Sequence, residues 1–217
     1  MDFELKLFLE SLPALLQGAL MTAQLTVISA VFGLGIGVTL GLLRVSSNSF
    51  LRFFSVAYVT VFRGLPLLVS LLFLYYGLPA VGIHLSAFAV AIIALSVTNG
   101  AYVTEIVRAG IQSIEPGQLR AARSLGMSYP LAMRRIVLPQ ALRRVLPPIT
   151  NEAITLLKNT ALVSTIALTD LLRVGMNIMT WKANTFSPFA GVALIYLALT
   201  LPLLALNGWL ERRYRVT

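Results

Sequence analysis

The stretch Gln118–Pro139, QLRAARSLGMSYPLAMRRIVLP, is a polar, arginine-bearing segment set between runs of sequence apolar enough to lie in lipid. Local chemistry predicts its shape. Pro116 opens a helix, where a missing N–H costs nothing, and Gln118 to Leu125 supply about two turns. Gly126 ends it in the left-handed conformation that a β-carbon resists. Ser128 caps a second short helix with Pro130 in its first turn, running to Ile136 before Pro139 restarts the chain into lipid. The result is a two-helix hairpin over 116–138, apolar on one side and basic on the other. A membrane protein carrying such a module is driven or gated by something in water.

The rest of the sequence agrees that this is a membrane protein. Of 217 residues, 58% are hydrophobic and 12% charged, against roughly half and a quarter in a soluble domain. No cysteine and a single histidine, His84, leave no thiolate or clustered imidazole ligands, so no metal site is expected. The opening MDFELKLFLE lacks the basic start and small-residue cleavage site of a signal peptide. A net charge of +9 would point to nucleic acid in a soluble protein. Here the positive residues fall in alternate connections: Arg44 and Arg52, then Arg108 through Arg144 around the hairpin, then Arg212, Arg213 and Arg215. The positive-inside rule then sets the N-terminus outside and the C-terminus in the cytoplasm, with no nucleic-acid partner.

Spans need about 20 mostly apolar residues, and five segments meet or approach that: 14–43, 65–79, 86–109, 139–168 and 187–210. The expected fold is an all-α integral membrane protein forming one domain over 1–217. In the first span, Gly33, Gly37 and Gly41 put small residues on one face for a close helix neighbour. Phe50–Phe62 reads as an interfacial helix, Arg63 as a snorkelling anchor at the cytoplasmic edge, and Thr169–Phe186 as an outer connection.

The spacing from Ala121-Ala122 through Gly126 to Ile136-x-Leu138-Pro139 resembles the cytoplasmic EAA loop of ABC-transporter permease subunits. Phe62–Pro79, FRGLPLLVSLLFLYYGLP, is similar to the FRGTPLLVQ signature of the polar amino-acid branch, with Leu65 in place of Thr and Ser70 in place of Gln. AYVTEIVRAG at 101–110 and QALRRVLPPITNEAITLLKNTALVS at 140–164 continue the likeness. The resemblance implies a type I ABC importer permease fold in a bacterial plasma membrane, with five spans and a coupling loop. Two permease subunits, alike or paralogous, would form the path in membrane lipid. An ABC ATPase subunit would dock on the loop, and an extracytoplasmic binding protein would deliver an amino-acid substrate. The coupling residues would be Ala121, Ala122, Ser124, Leu125, Gly126, Met127 and Ser128; Arg120 stands where the motif has its Glu. ATP and Mg would sit on the partner. The chain itself has no GxxxxGK[ST] phosphate loop and is expected to bind no cofactor and to carry no catalytic residue.

Polar residues within the spans mark the path. A carboxylate in hydrocarbon is costly unless paired or wet, so Glu152 is a functional candidate, with Thr155 and Asn159 on nearly the same helical face. Thr98 and Asn99 lie near mid-depth of the third span. Together they would bind an ammonium and other polar groups of a substrate, the alternative being hydrogen bonds between helices. Pro147-Pro148, just below Glu152, disrupts helical hydrogen bonding and would offer backbone carbonyls to a cavity. Lys158 points elsewhere, and Glu105 with Arg108 makes a local ion pair. An ATP-independent channel or secondary transporter, with Glu152 and Glu105 as ion sites, is the competing function. It would call for an inverted repeat with matched broken helices, and none is visible. A mere membrane anchor would need no polar cluster at all.

Overall fold

A computed structural model describes residues 3–214, and Arg215 lies outside them. The helices are α1 (Leu5–Arg44), α2 (Ser49–Gly64), α3 (Leu67–Leu72), α4 (Ala87–Gln112), α5 (Pro116–Ser124), α6 (Tyr129–Ala132), α7 (Leu138–Asn159), α8 (Leu171–Lys182) and α9 (Phe186–Arg213), with no strand among the described residues. α1, α4 and α9 are each long and apolar enough to cross a membrane. Counted as one span each, two bent pairs bring the total to as many as five: Ser49–Gly64 with Leu67–Val81, turned by 97°, and Tyr129–Ile166 with Leu171–Lys182, turned by 49°.

The expected glycine face organises the bundle. A Cβ on Gly33 would strike Asn99, one on Gly37 would strike Val103, and one on Gly41 would strike Val107. The two ladders advance together in steps of four, so α1 and α4 run parallel in close backbone contact. Parallel neighbours require the chain between them to return to its starting face, so the broken pair α2–α3 makes the second crossing. Gly37→Val should cost about 2 kcal/mol or more by overpacking. Thermal unfolding checks this against Gly35→Val, whose side chain meets nothing within 4 Å and should leave the midpoint unchanged.

Phe50–Phe62, expected as an interfacial helix leading into the span from Leu65, is α2, the first member of a bent pair. α2 packs on α1 and α4, with Ser55 Oγ donating to the Leu40 carbonyl at 2.9 Å and Tyr58 Oη to the Val97 carbonyl at 2.6 Å. The second crossing therefore begins well before residue 65. It breaks where Leu65 is held extended (φ −93°, ψ 133°) by the following Pro66. α1 likewise outruns the expected start at Ala14. Lys6 and Glu10 lie 4.0 Å apart on its exposed side, which ends an apolar window but not a helix. Leu7, Ser11 and Leu15 keep the buried stripe going. Glu4 anchors this end, its N–H donating to Ser187 Oγ at 2.9 Å and its carboxylate accepting from Asn184 at 3.0 Å.

The hairpin also differs from expectation in one respect. α6 is no separate piece: a π-turn over Met133–Val137 carries it directly into α7, making one helical run from Tyr129 to Ile166. Pro139 was expected to interrupt the chain. Instead the widened turn absorbs its missing donor, and the Leu138 N–H reaches back to the Met133 carbonyl. The same device precedes Pro79, where Phe73–Gly77 is also π-helical.

Candidate functional site

The hairpin over 116–138 turns at Gly126 as its sequence dictates. Gly126 has φ +84°, and its N–H donates to the Arg123 carbonyl while the Met127 N–H donates to that of Ala122. This is the paired closure of a Schellman motif. Ser128 takes the N-cap backbone geometry but makes no side-chain capping bond. Ala122 is buried and Met127 half-buried, whereas Ala121, Ser124, Gly126 and Ser128 are exposed. Leu125, at the tip, is 82% exposed. Arg120, Arg123, Arg134 and Arg135 are exposed around it. Beneath, Val107, Ile111, Ile114, Val137 and Ala141 form an apolar cluster against which Leu119 packs. Arg144 donates to the Ser113 carbonyl. The base of the hairpin is thus fixed to α4 and α7 while its tip faces outward.

A second site lies where the α2–α3 break meets α4 and α7. A cavity of about 520 Å³ is lined by Arg63, Pro66, Thr98, Tyr102, Glu152, Thr155 and Asn159, among others. Thr98, Glu152 and Thr155 therefore share one space. Asn99 is not among the lining residues; it is 4% exposed and donates from Nδ2 to Glu152 Oε1 at 3.3 Å. It orients the carboxylate from the α4 side. Thr155 Oγ1 donates to the Asn151 carbonyl of its own helix at 3.2 Å, leaving its lone pairs toward the cavity.

Arg63, expected as an anchor at the cytoplasmic edge, also lines this cavity. The bend returns it to the cavity wall, where its guanidinium stacks 5.1 Å from the Tyr102 ring centroid and lies 3.9 Å from Glu105. A cationic residue followed at once by Gly-Leu-Pro was the available signal, because a broken span exposes its break to a cavity. Glu105 pairs with Arg108 at 2.9 Å as expected, and in addition with Arg44 at 3.2 Å. Three guanidiniums around one carboxylate leave no room for it as an ion site. Pro147 and Pro148 line a different cavity, with Gly110, Arg143 and Arg144, so their freed carbonyls do not reach Glu152. Lys158 faces Tyr196 and Thr200 of α9, away from the Glu152 cavity. Among the described residues, no group of three or more His, Cys, Asp or Glu could hold a metal.

Comparison with known proteins adds four findings. The arginine transport system permease protein ArtQ of Bacillus subtilis is 37% identical over 216 residues, covering 99% of each chain. The crystal structure of an amino acid ABC transporter with histidines superposes with a TM-score of 0.92 at 38% identity, covering 98% of this chain and all of that one. The MetNI methionine ABC transporter in an inward-facing conformation shares the fold, with a TM-score of 0.77 at 22% identity over 93% of this chain and 96% of that one. The family profile described as binding-protein-dependent transport system inner membrane component matches residues 33–216. These matches, from the family profile over residues 33–216 and the relative covered to 99%, show that the chain belongs to the family of binding-protein-dependent transport system inner membrane components.

Proposed function

We propose that the chain is the permease subunit of an ATP-driven importer for polar amino acids, paired with a second permease and oriented with its N-terminus outside. An ATPase grips the Leu125–Ser128 tip, and ATP with Mg stays on that partner. A binding protein delivers cargo to the opposite face. One observation carries this reading: the helical run Tyr129–Ile166 bears the hairpin at one end and Glu152 along its length, so displacement of the tip reaches the cavity wall along one continuous helical run, through the π-turn at Met133–Val137. At about 1.5 Å per residue, Tyr129 and Glu152 are some 35 Å apart along it.

The cavity supports an amino-acid cargo. Glu152 is suited to an ammonium and Arg63 to a carboxylate, both on walls that also carry hydroxyl and amide groups. Vesicles holding the chain with its ATPase and binding protein should take up labelled arginine, glutamine or histidine only when ATP is present. Uptake that persists without ATP would refute the importer reading.

The docking contact has its own expected result. Leu125→Ala removes the most exposed apolar side chain of the hairpin and should weaken ATPase association by about 2 kcal/mol, roughly 30-fold. Co-purification over a range of ATPase concentrations reads this. Unchanged retention would mean that the ATPase grips another surface.

A further inference from the structure

A separate cavity of about 430 Å³ lies between the turn after α1, the start of α2, the end of α4 and the coupling hairpin. Its lining pairs two guanidiniums, Arg44 and Arg52, with an apolar wall that includes Ile111, Leu119 and Met133. Glu115 is the acid on its rim. Neither arginine is used up. Arg44, with its side chain 19% exposed, shares Glu105 with Arg63 and Arg108, and its Nη1 is buried without an acceptor. Arg52 is exposed, and its bonds to the Ser46 carbonyl and Ser49 Oγ are long, at 3.5 and 3.4 Å. A buried guanidinium donor lacking an acceptor is costly, and the fork geometry of arginine suits phosphate oxygens.

We propose that this cavity binds the phosphate of an anionic phospholipid, Arg44 and Arg52 holding the headgroup while the start of the hydrocarbon lies against Ile111, Leu119 and Met133. The apolar wall beside the arginines favours a lipid over free phosphate, which would bring nothing to cover it. Bound there, the lipid touches the first connection, the end of α4, α5 and the π-turn together. It would brace the coupling hairpin from its membrane side.

The test uses the purified chain with the subunits that accompany it. Dioleoyl-phosphatidylglycerol is titrated in a phosphatidylcholine background and bound lipid is counted by native mass spectrometry. Arg52→Gln should lower occupancy about fivefold. Arg135→Gln removes the same charge from an exposed hairpin position outside the cavity and should change occupancy less than twofold. Glu115→Gln removes the rim acid and should raise occupancy, which a misfolded variant would not do. Equal losses from Arg52→Gln and Arg135→Gln, or no loss from either, would overturn the proposal. So would displacement of the lipid by millimolar inorganic phosphate, which would assign the site to a soluble anion.

Discussion

Replacing Gly126 with Asp is expected to abolish ATP-driven uptake while leaving the bundle folded. Gly126 holds φ +84° at the end of α5, and a Cβ there would meet nothing within 4 Å. The substitution therefore acts by two routes, backbone strain and charge, with no clash. Strain is mild, because Asp tolerates the left-handed region better than most residues. Charge is severe. The carboxylate would sit at a helix C-terminus, where the dipole is already negative. It would also sit among the exposed arginines 120, 123, 134 and 135, whose partner surface should itself be acidic. A loss of at least 2 kcal/mol, more than about 30-fold in ATPase affinity, follows. Gly126→Asn carries the same backbone tolerance without the charge and should retain most activity. Uptake and ATPase retention measured on both variants decide the matter: if Asp behaves like Asn, the tip is not the docking contact.

Glu152→Gln is the second large effect. The amide still accepts from Asn99, so the α4–α7 contact survives and the purified protein should melt as the parent does. The anionic partner for a cargo ammonium is lost. A hydrogen bond to a charged group contributes about 1.5–3 kcal/mol, so half-saturation for uptake should rise by roughly 10- to 150-fold. Basal ATP hydrolysis should be unaffected, since the hairpin is untouched. Asn99→Ala should produce a smaller rise by freeing the carboxylate it orients. Wild-type uptake by Glu152→Gln would remove the cavity from the transport path.

The features legible in sequence were those set by local chemistry. Gly126 announced its left-handed turn, and Gly33, Gly37 and Gly41 announced a close neighbour. The long apolar runs announced α1, α4 and α9. Features set by tertiary context were not legible. Phe50–Phe62 and 65–79 read as an interfacial helix leading into a short span; the parallel register of α1 and α4, visible only in the fold, is what favours counting the bent pair as one crossing. That Arg63 also lines a cavity follows from the bend, which only the packed structure reveals. Pro139 looked like a break since a missing N–H usually is one, and nothing local signals the π-turn that absorbs it. Pro147-Pro148 sit below Glu152 in sequence but face a different cavity, a matter of helical rotation that sequence distance conceals. For the candidate site, residue types pointed to the Glu152 face of α7. The division between residues that line it and Asn99 behind it came only from packing.

The glycine contact between α1 and α4 has a consequence for how affinity can change during a transport cycle. With Asn99, Val103 and Val107 of α4 seated against the glycine backbone of α1, the pair resists sliding and would serve as a fixed reference slab carrying Thr98, Asn99 and Tyr102. On the proposed mechanism the opposing wall, α7, would belong to the run that the hairpin moves. Any difference in grip on the cargo between the two facing states must then be written in distances across that one seam. The 3.3 Å bond from Asn99 to Glu152 spans it, and its making and breaking would mark time for each passage of cargo.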